Sequence, residues 1–314
     1  MNLLRLPFVV LIEVFKNMNF EEIFLISLLS KRARNTLKIT CVIPHFAINL
    51  SDGMYIHVEH YISQSRMTGK VFNYLIGAKK MRFSLYPDGI SLQEKLHEKQ
   101  FLLIEHLLDT FPKSTISITF SYKTLPALEF MKIFNQRGVS IKSFSYCISG
   151  DSSEFNPKIL DECTEVTEHI FVSANFPDNY VYTPPRPFKA KKVCVWENSN
   201  WLNLEEFMSC RCISLELGEN SNRTAKTYNS FFTKWMDSGA PLQEVKLVFF
   251  GEPDYRMIMS AFRNHGTERR INNDWFEINR KDGFFMGTFG NYIIVCTKQA
   301  YLEKFRENEA GIQY

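Results

Sequence analysis

Several signatures of membrane proteins and of common enzyme classes are missing from this 314-residue sequence. No stretch approaches the roughly twenty apolar residues that a transmembrane helix needs. The net charge of +3 is too small to argue for a nucleic-acid or membrane partner. No glycine-rich phosphate loop, no G-x-G-x-x-G and no G-x-S-x-G elbow occurs, so the usual nucleotide-binding and esterase signals are absent. We therefore expect no cofactor, no nucleic acid and no membrane as a partner.

The cysteines lack the spacing of a zinc site. They lie at positions 41, 147, 163, 194, 210, 212 and 296, without a C-x-x-C pair. A structural zinc site would need clustered Cys and His ligands, and nothing marks a reactive cysteine that could form a thioester. His57 and His60 lie in a predicted strand, where residues three apart point to opposite faces and cannot share a metal ion. We expect buried thiols, no metal ligand and no catalytic residue.

The amino-terminal run LPFVVLI, with Arg5 ahead of it, raises the question of a signal peptide. Glu13 and Lys16 interrupt the run, no small-residue cleavage site follows, and the amphipathic pattern continues into a second helix. An odd number of cysteines in a chain too long to need disulfides also favours a reducing compartment. The sequence therefore predicts a cytoplasmic or nuclear protein.

Residues 6–40 hold the densest pattern in the chain and predict three short helices. Pro7 suits the first position of a helix whose apolar residues recur at i, i+3, i+4 and i+7, namely Leu11, Val14, Phe15 and Met18. Asn19 followed by Glu22 predicts a capping box at the start of a second, nearly all-apolar helix over about 20–29. Ser30 is placed to cap a third helix with a basic, solvated face.

The order of residues in this segment resembles an F-box. The resemblance rests on the opening Leu6-Pro7, on the apolar positions and on SLLSKR at 27–32, with Ala33 where many members carry Trp. F-boxes bind a Skp-type adaptor, so the resemblance implies ten adaptor contacts: Leu6, Pro7, Val10, Leu11, Val14, Phe15, Met18, Ile23, Leu28 and Ser30. A forty-residue piece rarely folds alone, so its apolar surface also predicts a partner. The alternative is an ordinary helical cap on the domain that follows.

From residue 81 onwards, short β-rich runs alternate with helical patterns. The runs are MRFSLY at 81, TISITFSY at 115, IKSFSY at 141, EHIFVSA at 168, KKVCVWE at 191, CISLEL at 212 and EVKLVFF at 244. This spacing indicates parallel β/α units, and its unequal period favours an irregular, leucine-rich-repeat-like β/α solenoid over a doubly wound sheet. The closing segment predicts an antiparallel meander, with turns at Lys281-Asp282-Gly283 and Gly290-Asn291, that covers the last edge.

A second resemblance lies in this half of the chain. Trp201 and Leu202 lead a predicted helix before one strand, and a later helix with Phe231, Phe232 and Trp235 precedes the next strand, with Gly239 as its C-cap and Leu242 after it. This order is similar to the F-box-associated domain (type 2) of the nematode-type F-box family, over about residues 195–265 and more loosely to about 300. The aromatic residues of the later helix share one face, so we predict that they are core.

The two resemblances imply a non-catalytic substrate receptor of a cullin-type (SCF) ubiquitin ligase. An F-box over residues 1–42 would bind a Skp-type adaptor and, through it, a cullin, and an α/β domain over 43–314 would bind an unknown target protein. The predicted fold class is α/β: a three-helix F-box, then an irregular β/α solenoid closed by an antiparallel meander. Two alternatives are an F-box-containing scaffold without a degradation role and an α/β enzyme with an unrecognised site.

Alternation along three successive predicted strands indicates where a target would bind. In KKVCVWE, the alternation that buries the valines turns Trp196 to the opposite face, and it turns Phe171 and Glu216 to the same face in the neighbouring runs. We predict target binding through these three residues, because exposed aromatic side chains commonly anchor partners. The alternative is that the proline-rich segment 183–188 covers the aromatic rings as core.

Overall fold

The computed structural model describes residues 3–51, 53–58, 71–94, 96–121, 127–148, 155–174, 176, 180–218, 222–248, 252–279 and 283–309. The chain divides into two compact units, Met1–Ile148 and Ser149–Tyr314. The three N-terminal helices lie in the first unit, and the predicted boundary after residue 42 stays a prediction.

Of the two histidines considered as metal ligands, His57 and His60, the second lies outside the described residues. Within the described residues, no group of His, Cys, Asp or Glu is placed to hold a metal ion. Among the described helices, none has the length and apolar composition of a membrane span.

The first unit opens, after a short 3-10 helix (Leu3–Arg5), with α1 (Phe8–Lys16), α2 (Phe20–Leu29) and α3 (Lys31–Thr40). The predicted capping box is confirmed: Glu22 N–H donates to Asn19 Oδ1 and Asn19 N–H donates to a Glu22 carboxylate oxygen, both at 3.0 Å. Ser30 Oγ accepts from the Ala33 N–H at 3.1 Å and starts α3. Pro7 stands one position before α1, as its cap residue. The three predicted helices are therefore confirmed.

The strands of the first unit are β1 (His45–Leu50), β2 (Met54–Val58), β3 (Val71–Ile76), β4 (Lys79–Tyr86), β5 (Gly89–Leu92), β6 (Thr115–Ser121) and β7 (Ile141–Ile148). Its remaining helices are α4 (His97–Thr110) and α5 (Ala127–Gln136). The strand order is β7-β6-β1-β2-β5-β4-β3. Strands β1, β6 and β7 pair in parallel, whereas β1 to β2, β2 to β5, and β3 to β4 to β5 pair antiparallel.

Strand β4 departs from the prediction. Its run MRFSLY opens the series of predicted parallel β/α units, but β4 pairs antiparallel with both β3 and β5. Two-residue turns explain the difference: Gly77-Ala78 joins β3 to β4, with Gly77 at φ +62°, and Pro87-Asp88 joins β4 to β5. Such turns leave no room for the crossover segment that parallel pairing requires.

The parallel strands of the second unit are β8 (His169–Ala174), β9 (Lys192–Trp196), β10 (Cys212–Glu216) and β11 (Glu244–Val248), paired in chain order. Its helices are α6 (Phe155–Glu162), α7 (Ala225–Asp237), α8 (Glu252–Arg263) and α9 (Lys298–Glu309), with 3-10 helices at Cys163–Glu165 and Leu204–Phe207. The closing strands are β12 (Thr267–Arg270), β13 (Trp275–Asn279), β14 (Phe284–Phe289) and β15 (Tyr292–Thr297). The strand order is β12-β13-β14-β15-β11-β10-β9-β8.

The predicted meander is present. Strands β12 to β15 pair antiparallel in succession, and β15 pairs antiparallel with β11. Gly290, at φ +54°, makes the predicted turn between β14 and β15. Lys281 and Asp282 of the other predicted turn lie outside the described residues. All seven predicted β runs form strands, so the α/β class is confirmed, while the solenoid stays a prediction.

Two local predictions in the second unit are wrong. The segment NWLNLEEFMSC forms only the 3-10 helix Leu204–Phe207, which Asn203 caps by accepting the N–H of Glu205 at 3.2 Å. Helix α7 ends at Asp237, and its cap residue Ser238 is extended at φ −91°, ψ 150°. The chain therefore leaves the helix without using the conformational freedom of Gly239.

The core of the second unit contains the aromatic residues of α7. Phe231, Phe232 and Trp235 are at most 2% exposed, which confirms the predicted core role. Trp235 Nε1 donates to the carbonyl of Leu242 at 2.8 Å, and its ring meets that of Phe284 in β14 edge-on at 5.2 Å. Helix α7 is thereby fixed both to the segment before β11 and to the meander.

Candidate functional site

Helix α2 is buried against the strands that follow it in the first unit. Phe24 is 0% exposed and its ring meets Phe83 of β4 edge-on at 5.7 Å. The Phe20 ring meets Phe46 of β1 edge-on, also at 5.7 Å, and the Phe20 N–H donates to the carbonyl of Pro87 at 2.8 Å. Helix α2 is therefore part of the hydrophobic core of the first unit.

A buried histidine joins α2, α3 and α4. His106 is 6% exposed; its Nε2 lies 2.8 Å from Ser27 Oγ and its Nδ1 lies 3.4 Å from Arg34 Nη1. Because the Ser27 hydroxyl donates to the Phe24 carbonyl at 2.6 Å, we assign the ring proton to Nε2, which donates to Ser27, while Nδ1 accepts from Arg34. Burial, and then the charge of Arg34, lower the pKa of His106 to about 4 against the opposing effect of Asp109.

Helix α1 presents an apolar strip to solvent. We call Phe8, Val9 and Val10 the α1 strip; they are 49%, 71% and 43% exposed, in that order. On the inner side of the same helix, Leu11 and Phe15 are buried. Consecutive exposed apolar residues at the start of one helix are typical of an interaction surface.

The ten predicted adaptor residues fall into two groups. Three are buried within the first unit: Leu11, Phe15 and Ile23. Seven are half-buried or exposed: Leu6, Pro7, Val10, Val14, Met18, Leu28 and Ser30. Sequence reasoning missed the exposed Phe8, Val9 and Leu29, because an i, i+3, i+4 pattern selects the side of a helix that faces its own core. Adaptor contact by the ten residues stays a prediction.

The sheet of the second unit has one face packed with helices and another that carries the predicted target residues. Phe171 of β8 lies opposite Cys194 of β9, and Trp196 lies opposite Ser173 of β8. Leu215 of β10 lies opposite Val195, so Glu216 follows next to Trp196. The structure thus places Phe171, Trp196 and Glu216 on the same face of adjacent strands. Helix α9 covers this face over the meander, where Tyr301 stacks on Phe285 at 4.1 Å.

The carboxyl ends of β8 to β10 bring an exposed indole together with two carboxylates. Trp196 is 54% exposed and its ring meets Phe171 edge-on at 5.3 Å. Glu197 follows β9 with φ +71°, a left-handed conformation that non-glycine residues rarely adopt. Its N–H donates to Glu216 Oε2 at 3.3 Å, and its Oε1 accepts from Ser173 Oγ at 2.8 Å. Sequence reasoning missed Glu197, because a glutamate carries no local signal for a left-handed backbone.

The proline-rich segment 183–188 does not cover Trp196. Phe188 is buried and stacks on Phe207 at 5.0 Å. Arg186 Nε donates to Thr164 Oγ1 at 2.7 Å, and its guanidinium pairs with Glu165 at 3.0 Å. The segment therefore packs on the two short 3-10 helices and leaves Trp196 exposed. Target binding at Trp196 stays a prediction.

Burial makes the cysteine thiols poor nucleophiles. All seven cysteines are free. Burial raises the pKa of Cys41 to about 11 and the pKa values of Cys210 and Cys296 to about 12. It also raises the pKa values of Cys163, Cys194 and Cys212. Because the thiolate is the nucleophilic form, these six cysteines are poorly suited to thioester chemistry at neutral pH.

Comparison with known families agrees with both resemblances. The F-box domain family matches residues 3–42, which contain α1, α2 and α3. A family described as F-box associated matches residues 185–244, which contain β9, β10 and α7. No curated protein and no solved structure matches the chain. The second match ends well before the predicted limit of about 300, and it includes Trp196, Glu197 and Glu216. The chain therefore carries an F-box domain at residues 3–42 and an F-box-associated domain at residues 185–244.

Proposed function

We propose that the chain is a non-catalytic substrate receptor of a cullin-type (SCF) ubiquitin ligase. The observation that carries the proposal is the α1 strip, an exposed apolar surface on a domain whose family generally binds Skp-type adaptors. The strip binds the adaptor, and the adaptor links the chain to a cullin. This assembly acts in the cytoplasm or the nucleus.

Some of the predicted adaptor residues contact the adaptor, and the others hold the F-box helices in place. Of the seven accessible ones, Val10 belongs to the α1 strip, and the others border the strip in sequence or follow it as far as Ser30 and extend the contact. The buried residues, Leu11, Phe15 and Ile23, hold the helices in place from within. Because α2 is packed into the core of the first unit, the adaptor surface has a fixed orientation on that unit.

Recognition of the target belongs to residues 43–314, and the ligase chemistry belongs to partner subunits. Four parallel strands in chain order, β8 to β11, support an irregular solenoid of the leucine-rich-repeat kind, whose open face binds the target through Phe171, Trp196 and Glu216. The raised pKa values of the cysteines support a role without catalysis. The chain would accelerate ubiquitin transfer by holding a target lysine within reach of a charged carrier.

Adaptor binding tests the proposal directly. Replacing Phe8, Val9 and Val10 together with Ser removes the α1 strip and leaves the buried residues intact. Each anchor at an interface centre commonly contributes about 2 kcal/mol or more, so we expect titration with the adaptor to show no measurable binding. Val181→Ser, at a residue 57% exposed outside the F-box, is the matched control and should bind normally. An unchanged adaptor affinity of the triple variant would contradict the proposal.

Target turnover separates the receptor from a scaffold. Proximity labelling with the wild-type chain and with the triple variant identifies proteins that contact the second unit in both cases. For a receptor, at least one of these proteins should accumulate in cells that carry the triple variant, because its ubiquitylation needs the adaptor. A chain that binds adaptor and cullin without changing the turnover of any labelled protein would be a scaffold.

A further inference from the structure

Four exposed or half-buried residues in β8 to β10 and directly after β9 have the chemistry of a cation-binding surface. We call Phe171, Trp196, Glu197 and Glu216 the tryptophan cluster. We propose that this cluster binds a basic side chain, arginine or lysine, in an extended segment of the target protein. The inference rests on the proposed function, in which this unit captures the target, and it adds the chemical class that is recognised.

The first argument is the exposure of the indole. Three of the four tryptophans, Trp201, Trp235 and Trp275, are at most 6% exposed, whereas Trp196 is 54% exposed. The face of an indole is the best aromatic surface for a cation. The edge-on contact with Phe171 at 5.3 Å restrains the ring, so little side-chain freedom is lost when a ligand binds. Trp196 is thus a preformed platform.

The second argument is charge. Some acidic residues elsewhere in this unit pair with lysines, for example Glu168 with Lys191 and Glu205 with Lys234, both at 2.9 Å. Among the described residues, neither Glu197 nor Glu216 has a Lys or Arg within salt-bridge distance. Two negative charges beside an exposed indole leave a surface whose electrostatic complement is a cation.

The third argument is that the carboxylates are held in place. The left-handed backbone of Glu197 aims its N–H at Glu216 Oε2, while its own carboxylate accepts the Ser173 hydroxyl at 2.8 Å. Strained backbone of this kind persists where the surroundings over-determine it, often at binding sites. Both carboxylates keep free lone pairs for the N–H groups of a guanidinium or ammonium.

The same face of the sheet already holds a cation over an aromatic ring. Lys246 of β11 places its Nζ 4.3 Å from the centroid of the Tyr292 ring. Lys246 lies on the strand next to β10, opposite Ser214. The internal pair shows that a basic side chain fits against this face, and it occupies Tyr292, whereas Trp196 is open to an external cation.

Peptide selection and titration test the proposal on the full chain without adaptor. A library of random dodecapeptides is selected on the wild-type chain, and the best peptide is then synthesised with each Arg replaced by citrulline, or each Lys by acetyl-lysine, which remove the charge. We expect selected peptides to be enriched in Arg or Lys and the neutral versions to bind about tenfold more weakly. Trp196→Ser and the double variant Glu197→Gln/Glu216→Gln should each weaken the charged peptide about fivefold. Val181→Ser should bind it normally.

The outcomes separate this inference from the proposed function. If no peptide is selected, if the selected peptides lack basic residues, or if the neutral versions bind equally well, the cation site is overturned. The same samples are titrated with adaptor, which tests the receptor role independently. If the chain binds the adaptor normally but binds no basic peptide, the receptor role is supported and only the cation site is overturned.

Discussion

Two helices of the F-box have similar apolar composition, but one is buried against the sheet and the other exposes apolar residues to solvent. Helix α2 buries Phe20 and Phe24 against rings of β1 and β4. Helix α1 leaves Phe8 and Val9 49% and 71% exposed. The sheet of the first unit is the partner of α2, and the outer side of α1 has no counterpart among the described residues. Apolar composition therefore predicts that a helix will be covered, and the fold decides whether the chain or another molecule covers it.

The two faces of β9 repeat this contrast in the second unit. Val193 and Val195 are at most 1% exposed on the helix-packed face, whereas Trp196 is 54% exposed on the other. Large apolar side chains thus serve as core on one face and as candidate contact surface on the other. The distinction can be measured, because core residues contribute to stability and contact residues contribute mainly to binding.

The largest expected effect concerns the docked helix. Phe24→Ala removes a fully buried ring beside Phe83 and should lower the free energy of unfolding of the first unit by about 3–5 kcal/mol. Phe8→Ala, on the exposed strip, should change it by less than about 0.5 kcal/mol. Urea denaturation followed by circular dichroism gives both values. Equal costs for the two substitutions would show that α2 is not docked as described.

A pH effect tests the polar contacts that His106 makes with α2 and α3. His106 has a pKa of about 4 in the folded state and an ordinary value of 6.5, so the unfolded chain binds more protons between these values. Stability should therefore fall as pH decreases from 6.5 towards 4, by about 2 kcal/mol between pH 7 and pH 5 for this group. The control is His106→Gln, which cannot titrate. Urea denaturation of both proteins at each pH isolates the difference, and identical pH slopes would contradict the role of His106.

Local patterns predicted the parts of the fold that local chemistry determines. Asn19 and Glu22 form a cap within four residues, and strand alternation has a strict period of two, so the caps, the runs and the face of Trp196 could be predicted. The antiparallel direction of β4 could not, because it depends on which strands pair across the sheet. In α1, the helical period identified the buried side and therefore missed the exposed Phe8 and Val9.

A smaller effect is expected on the open face of the second unit. Trp196→Ser removes a half-exposed ring and its edge-on contact with Phe171, which should lower the free energy of unfolding by about 1 kcal/mol. Val195→Ala, one position earlier on the buried face, should cost about 2 kcal/mol despite removing far fewer atoms. Chemical denaturation of the two variants measures whether the smaller substitution, Val195→Ala, lowers the free energy of unfolding more than Trp196→Ser does. A loss of several kcal/mol for Trp196→Ser would place the indole in the core and end its assignment to a binding face.

The smallest effect is a gain in stability next to that tryptophan. Glu197 holds a left-handed backbone at φ +71°, which costs a non-glycine residue roughly 1–2 kcal/mol, whereas glycine adopts it freely. Glycine also loses more conformational freedom on folding, by about 0.5–1 kcal/mol, so Glu197→Gly should be about 0.5 kcal/mol more stable than Glu197→Ala in urea denaturation. Glu197→Ala keeps the strain, removes the same carboxylate and serves as the control. If the glycine variant is no more stable than the alanine variant, the backbone at Glu197 is not strained, and the carboxylate next to Trp196 is held by its hydrogen bonds alone.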